Sequence, residues 1–556
     1  MNNPRFFQSI LATAAFALVL AAQPAFADCI DGQVCRASTG VCDVTEYCGN
    51  GGICGPDTVA PFGLGCRAAS GEEYDVAEFC DGVHPTCPGN EVRAQGKNGG
   101  YFRMTFPDNW DGDLVIINHG FDLNPLHIRP HHTCGDASAS PCYDDVDCTA
   151  GSDAQQFCND ISYTGLDDLL LPQGKAVAAG TYSSTGWAVF DSAKDIKDMM
   201  SFAKKNAVDI TGTELKRVII TGFSLGGAVT GDAILKLKIQ GAVPLCAAVG
   251  GGLPTWDVAM DVRLVYDFLC DNAPTLPPIP VSPKFNEAPD YGLTTTNDSD
   301  ADAQNMALKV NGCFGWLAPS PDSGEAAGQA QRLSDFIELT QFTGYPTPAD
   351  AINIPSAMGF ATLGLGDFVR DPNRLDSKKI GFNTDPDLDY SALGGSPLAG
   401  PFDDGVKRLT KGAGRKTLNK YSNPNFLKGK GKKVNFPILM MAGANDWLVI
   451  PEFERVFTTA LADGSKPVTQ TWIDTFGHCV FTEQEVTATF NAFFAWLGPY
   501  GSSLNAQPTK EEIHTACLAL PGATASDCNF NDTFTPNALM NRIPAREDWP
   551  EAAAHL

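Results

Sequence analysis

Histidine is scarce in this chain, with eight in 556 residues. Chemistry that needs an imidazole has few places to reside, so each His can be weighed individually. Cations are also short. Lys and Arg total 39 against 65 Asp and Glu, a net charge of −26, which argues against nucleic acid or an acidic lipid surface as a partner. Beyond the first segment no apolar run reaches the roughly 18 residues of a membrane span, so none is expected. The eighteen Cys lack paired CxxC knuckles with following His, which argues against zinc. His127, His131 and His132 crowd one polar loop without a spaced partner set, so no metal is assigned there either. No other cofactor is called for.

What is present begins with a leader. Arg5 precedes the apolar ILATAAFALVLAA, and AFA at 25–27 fits the small-residue rule for cleavage, so residues 1–27 read as a signal peptide. A secreted protein, periplasmic or extracellular, also suits Cys clusters rich in Gly, Asp and Pro. Residues 28–95 carry an internal repeat: CRASTGVCDVTEYC (35–48) is echoed by CRAASGEEYDVAEFC (66–80). So short a unit buries little apolar surface and must be ordered by cross-links. The pattern resembles the C-terminal half of disintegrin-like domains, although the second copy has no counterpart of Cys42. The resemblance implies binding or adhesion; a protease-resistant spacer is the simpler expectation.

From residue 96 to 498 the texture changes. YFRMTF, LVIINHG (114–120), KAVAAGTY (175–182), RVIITG (217–222), PLCAAVGGG (244–252), FPILMMAG (436–443) and TQTWID (469–474) read as strands alternating with amphipathic helices. Runs that are apolar throughout, rather than at every second residue, predict a mostly parallel central sheet covered on both faces, an α/β fold. A polar insertion at 122–165 holds four Cys. A second, 253–433, is too long for a structureless loop and reads as a cap or lid. The extension 499–556 offers a local Cys517–Cys528 bridge.

The sharpest local signal is VIITGFSLGG (218–227). A serine hydroxyl becomes nucleophilic when a base takes its proton and the backbone presents it clear of the sheet. A tight strand-to-helix turn does the presenting and requires small neighbours, here Gly222, Gly226 and Gly227 around Ser224. The same turn puts the Leu225 amide at a helix N-terminus, where a developing oxyanion is stabilised.

Together with INHGF (117–121) upstream and MMAGANDWLVIP (440–451) and FGHCVF (476–481) downstream, this order resembles the α/β-hydrolase superfamily over about residues 99–498. The resemblance implies an α/β-hydrolase fold, with Phe121 as the second oxyanion amide and His119 holding its loop. It further implies His478 as the base, after the last strand, and Asp446 as the acid, with Asp257 as the alternative placement. Asp474 lies too close to His478 along the strand. Tannase and feruloyl esterase enzymes are a nearer comparison. Their signature bridges a Cys before the nucleophile to a Cys after the His. Here Cys479 follows His478 but position 223 is Phe, so Cys479 pairs elsewhere or stays free. The expectation is hydrolysis of a carboxylic ester, perhaps of an extracellular polymer or lipid, through an acyl-enzyme. The rivals are a serine exopeptidase or amidase on the same triad, and a binding protein working through the repeats.

Overall fold

A computed structural model describes residues 33–38, 44–49, 53–54, 65–67, 78–79, 90–121, 164–183, 187–270, 308, 310–315, 319–340, 388–391, 393, 396–408, 434–463 and 467–537. The expected signal peptide, much of the repeat region, the four-Cys insertion with His127, His131 and His132, and most of 271–433 lie outside them. In the repeat region both copies open alike. Val34–Arg36 pairs antiparallel with Glu46–Gly49, and Gly65–Arg67 with Glu78–Phe79, placing Arg36 opposite Glu46 and Arg67 opposite Glu78. The repeated sequence is thus a repeated hairpin.

The main sheet has eight strands: β1 (Asn90–Gln95), β2 (Tyr101–Phe106), β3 (Asp113–Asn118), β4 (Ala176–Gly180), β5 (Arg217–Phe223), β6 (Gly241–Leu245), β7 (Ile438–Asn445) and β8 (Val468–Phe476). Their hydrogen-bonded order is β1-β2-β4-β3-β5-β6-β7-β8. The pairs β1–β2 and β2–β4 are antiparallel; β5–β6, β6–β7 and β7–β8 are parallel. Predominantly apolar sequence explains the inner parallel strands: β6 is buried at every position, and β5 and β7 at every position but the last, as in a sheet covered on both faces. The described helices include α1 (Ser192–Thr211), α2 (Leu225–Lys236), α3 (Gly252–Leu269), α4 (Ser323–Thr340), α5 (Pro451–Asp463), α6 (Glu483–Leu497) and α7 (Lys510–Leu518); α2, α5, α6 and α7 pack on the sheet, while α4 packs on α3. Strand order and helix alternation make this the α/β-hydrolase fold expected above.

The chain divides into two compact units. One comprises residues 1–115, 132–181 and 198–216, the other 116–131, 182–197 and 217–556. In the first, Lys175 is bonded to Asp111 and, at 2.9 Å, to the buried Asp113, so burying a lysine at the start of β4 leaves no unpaired charge. The second holds the long insertion's described parts. There the Cys270–Cys313 disulfide closes the end of α3, and Tyr390 Oη donates to Asp261 of α3 at 2.7 Å.

The outer edge of the sheet is β8, and an open edge is a liability. The C-terminal extension covers part of it: Asn529 O accepts the Asp474 amide at 2.6 Å and the Asn531 amide reaches Trp472 O at 2.8 Å. The expected Cys517–Cys528 disulfide fixes this segment to α7. A capping box starts α6, with Thr482 and Glu485 exchanging backbone and side-chain bonds. Among the described residues no helix is long and apolar enough to cross a membrane.

Candidate active site

Strands β5, β6, β7 and β8 run parallel, so their carboxyl ends share one edge of the sheet, the edge where such sheets bind ligands. Ser224 follows β5, Cys246 follows β6, Asp446 follows β7 and His478 follows β8 by two residues.

Ser224 is held in a conformation that L-residues avoid, φ 56° and ψ −116°. Four described non-glycine residues have positive φ, namely Thr164, Ser224, Cys246 and Cys479, and three of them surround this edge. Strain concentrated in one place persists only where neighbours over-determine it. They do so here. The Ser224 amide donates to Leu245 O at 3.0 Å, and the Ala228 amide closes the first turn of α2 onto Ser224 O at 3.1 Å. A Cβ at Gly222 would meet Asn118 O at 2.6 Å, one at Gly226 would meet the same oxygen at 2.0 Å, and one at Gly227 would meet the Ala247 Cβ at 2.5 Å. The three glycines therefore pack the elbow against the ends of β3 and β6.

The same contacts deliver the end of β3 to the elbow. Asn118 is buried, and its Nδ2 donates to Thr221 O at 2.9 Å and to Thr230 Oγ1 at 3.3 Å. Beyond it, His119 Nδ1 donates to Gly120 O at 2.8 Å. Tyr182 Oη donates to His119 O, also at 2.8 Å, while its ring stacks on the imidazole at 4.2 Å. Burial, reinforced by Asp195, holds the Tyr182 phenol well above its ordinary pKa, so it stays a neutral donor. Gly120 O and the Phe121 amide belong to one planar peptide and point in opposite directions; pinning the oxygen therefore aims the N–H. These contacts fix His119 within the loop. The Leu225 amide lies at the start of α2, ahead of the first helical hydrogen bond.

His478 and Asp446 meet directly, with Nδ1 2.7 Å from Oδ2. The Asp446 side chain is fully buried. Its other oxygen accepts the Leu448 and Val449 amides at 2.9 Å each, so both acceptors are used and the carboxylate cannot swing away. The bond to Nδ1 turns Nε2 away from Asp446, and Cys479 Sγ lies 3.4 Å from that nitrogen. Asp257, the alternative acid, is buried within α3. Asp474 accepts Asn445 Nδ2 at 3.3 Å instead of reaching the imidazole.

Cys479 pairs with Cys246. The bridge connects the residue after His478 to the residue after β6, and Leu245 beside it accepts the Ser224 amide. The bridge thus ties the His478 loop to the backbone that holds Ser224. Thr475 Oγ1, donating to Val480 O at 2.9 Å, closes the loop from within. Sequence reasoning passed over Cys246 because it lies in an apolar run; a buried Cys in a chain where cross-links persist was the available signal. Cys246, His478 and Cys479 are also the one described group whose ligand atoms crowd within 4.8 Å. With the two sulfurs bonded to each other, neither offers a thiolate, and the set does not suit a metal.

No family model matches this sequence, and no curated protein matches it. Solved structures do. An esterase from Pyrococcus furiosus is similar at 12% identity and a TM-score of 0.32, covering 72% of this chain and 89% of its own. An esterase from Aspergillus oryzae shows 13% identity and a TM-score of 0.34 over 70% and 72%. A proline iminopeptidase from Mycobacterium smegmatis shows 12% identity and a TM-score of 0.30 over 77% and 99%. At these scores the fold assignment rests on the strand order, and activity is argued from the site.

Proposed function

We infer that the protein is a serine hydrolase that cleaves carboxylic esters through an acyl-enzyme intermediate, with Ser224 as nucleophile, His478 as base and Asp446 as acid. The observation that carries this reading is the 2.7 Å bond from His478 Nδ1 to the buried Asp446, at the sheet edge where Ser224 occupies a strained turn. Asp446 fixes the tautomer and stabilises the imidazolium; His478 Nε2 takes the Ser224 proton and returns it to the leaving alcohol. The oxygen of Ser224 bonds to the acyl carbon as its proton leaves. Water, deprotonated by His478, then releases the acid and restores the hydroxyl. The amides of Leu225 and Phe121 receive the oxyanion.

In this reading residues 96–498 are the catalytic domain, 253–433 its substrate-selecting cap, 28–95 a disulfide-rich appendage and 499–556 an extension, all exported behind the signal peptide 1–27. The test is release of p-nitrophenol from short-chain esters by the mature protein and its Ser224→Ala variant, beside labelling with a fluorophosphonate. The expected result is loss of at least about a thousandfold in kcat and loss of labelling. Undiminished turnover in the variant refutes the assignment, and a preference for aminoacyl anilides over esters replaces the ester with an amide.

A further inference from the structure

The connection from β4 to α1 contributes nothing to the triad, yet its side chains bear on the loop after β3. Tyr182, two residues beyond β4, is buried. Its Oη donates to His119 O at 2.8 Å, and its ring lies over the His119 imidazole, with centroids 4.2 Å apart and planes 26° from parallel. His119 Nδ1 in turn donates to Gly120 O at 2.8 Å. One side chain therefore holds two consecutive peptide groups. The hydroxyl holds His119–Gly120 directly, and the ring holds Gly120–Phe121 through the imidazole. Each peptide is planar, so what remains free to turn the Phe121 N–H is rotation about the two backbone bonds of Gly120. Glycine resists such rotation least of all residues, so a clamp from outside has to supply the rigidity.

The clamp is itself anchored. Ser183, the next residue, gives both its amide and its hydroxyl to Asp195 Oδ2, at 2.9 and 3.0 Å. Asp195 is buried in the first turn of α1, so the helix holds the segment that carries Tyr182. The Phe121 ring is supported separately. It meets Trp256 of α3 edge-on at 5.9 Å, and Trp256 meets Trp187 at 5.4 Å; both indoles are buried. Trp187 leads into the single turn Ala188–Phe190 ahead of α1. The same connection thus supports Phe121 through its backbone and through its side chain.

We propose that Tyr182 is a positioning residue of the oxyanion hole: its hydroxyl and its ring together set the direction of the Phe121 amide, and through that amide it acts on the transition state without touching the substrate. The proposal rests on the hydrolase reading above. An N–H aimed at an oxygen that gains its charge only as Ser224 adds to the acyl carbon stabilises the transition state more than the bound ester. Loosening the clamp therefore lowers kcat and leaves KM nearly unchanged. A role in packing alone has a different signature, a lower thermal midpoint with the turnover of the folded protein intact.

The test is Tyr182→Phe, which removes the hydroxyl and keeps the stacked ring. On p-nitrophenyl esters kcat is expected to fall about tenfold, a part of the hundredfold or more that a whole oxyanion donor is worth, with KM held within about twofold. An alkyl trifluoromethyl ketone, which adds Ser224 and presents a standing oxyanion, is expected to bind more weakly in proportion to the fall in kcat/KM. His119→Ala removes the other half of the clamp, the imidazole bond to Gly120 O, and should lower kcat by a similar factor. Because both halves act on one amide, the double variant should lose less than the product of the two single losses. A folded Tyr182→Phe protein whose kcat stays within about twofold of wild type overturns the proposal. So does a loss carried by KM, an unmoved inhibition constant for the ketone, or a double variant whose losses multiply in full. If Tyr182→Phe does not fold, His119→Ala decides alone, and an unchanged kcat there overturns the clamp. Failure of the hydrolase reading looks different: turnover then survives Ser224→Ala, whereas failure of the clamp leaves Ser224 essential and Tyr182 dispensable.

Discussion

Gly226→Ala adds one methyl group at the point where the elbow touches the end of β3. The added carbon would lie 2.0 Å from Asn118 O, 2.6 Å from the Asn118 carbonyl carbon and 2.8 Å from His119 O. Ordinary contact begins at 3.4 Å, so the closest pair is about 1.4 Å too near. All three atoms are backbone, and no rotamer change can relieve the clash. Asn118 is itself fixed by two bonds to Thr221 and Thr230, so the strain passes outward, along His119 and Gly120 to the Phe121 amide. Overpacking of this kind costs about 1–3 kcal/mol of stability, which a domain of this size tolerates. On the proposed role of the Phe121 amide as an oxyanion donor the functional cost is larger, because displacing such a donor by about 1 Å costs on the order of a hundredfold in rate. We expect kcat on p-nitrophenyl esters to fall about a hundredfold with a smaller change in KM, and fluorophosphonate labelling to slow in step. Circular dichroism and the thermal midpoint report that the protein still folds. Gly400→Ala is the control, since nothing lies within 4 Å of a Cβ there, and it leaves both rate and midpoint close to wild type. A folded Gly226→Ala protein that keeps kcat within about threefold refutes the reasoning: the end of β3 would then not be seated on the elbow in the working enzyme.

Removing the Cys246–Cys479 bridge by a double Cys→Ser replacement should lower both stability and kcat. The chain-entropy model assigns about 5 kcal/mol to so long a loop, and 233 residues separate the two Cys. Thermal midpoints with and without the bridge check the stability, and a kcat that survives its removal contradicts its role in holding the His478 loop. Thr482→Ala should cost about 1 kcal/mol through loss of the α6 cap, and more if the bond to Asp527 O at 2.6 Å contributes. Thr482→Ser restores both bonds; equal denaturation midpoints for the Ala and Ser variants would argue against the cap.

The architecture was legible because a parallel sheet covered on both faces writes itself as unbroken apolar runs, such as RVIITG and ILMMAG. β1 was harder. NEVRAQ alternates without an apolar run, and its burial is partial beyond Glu91 and Val92; its place in the sheet comes from antiparallel pairing with β2, which a single segment cannot announce. The repeat at 35–48 and 66–80 was visible as text, and both copies form strand pairs in matching register, Arg36 opposite Glu46 and Arg67 opposite Glu78.

Within the site, legibility follows the range of the interaction. Ser224 was readable since the constraints on it are local: a turn that forces φ positive needs glycines at fixed offsets, and those offsets are part of the sequence. The meeting of Asp446 with His478 was expected through the family resemblance and its chain order, not from the two segments themselves. The supports of these residues are not local. Cys246 finds its partner 233 residues away, and Tyr182 reaches the His119 carbonyl from a different connection. Glu454, 1% exposed and bonded through Oε1 to the Ala247 amide at 2.6 Å, is the most instructive case. In PEFERVF it has the look of a favourable first-turn acid, solvated and interacting with the helix dipole. Its burial is decided by what packs above it, the ends of β6 and β8, and no pattern within seven residues encodes that. Residues that perform chemistry must sit in stereotyped local geometry, which local sequence can specify. Residues that hold them in place need only a polar atom at the right distance, so many sequences serve and none is diagnostic.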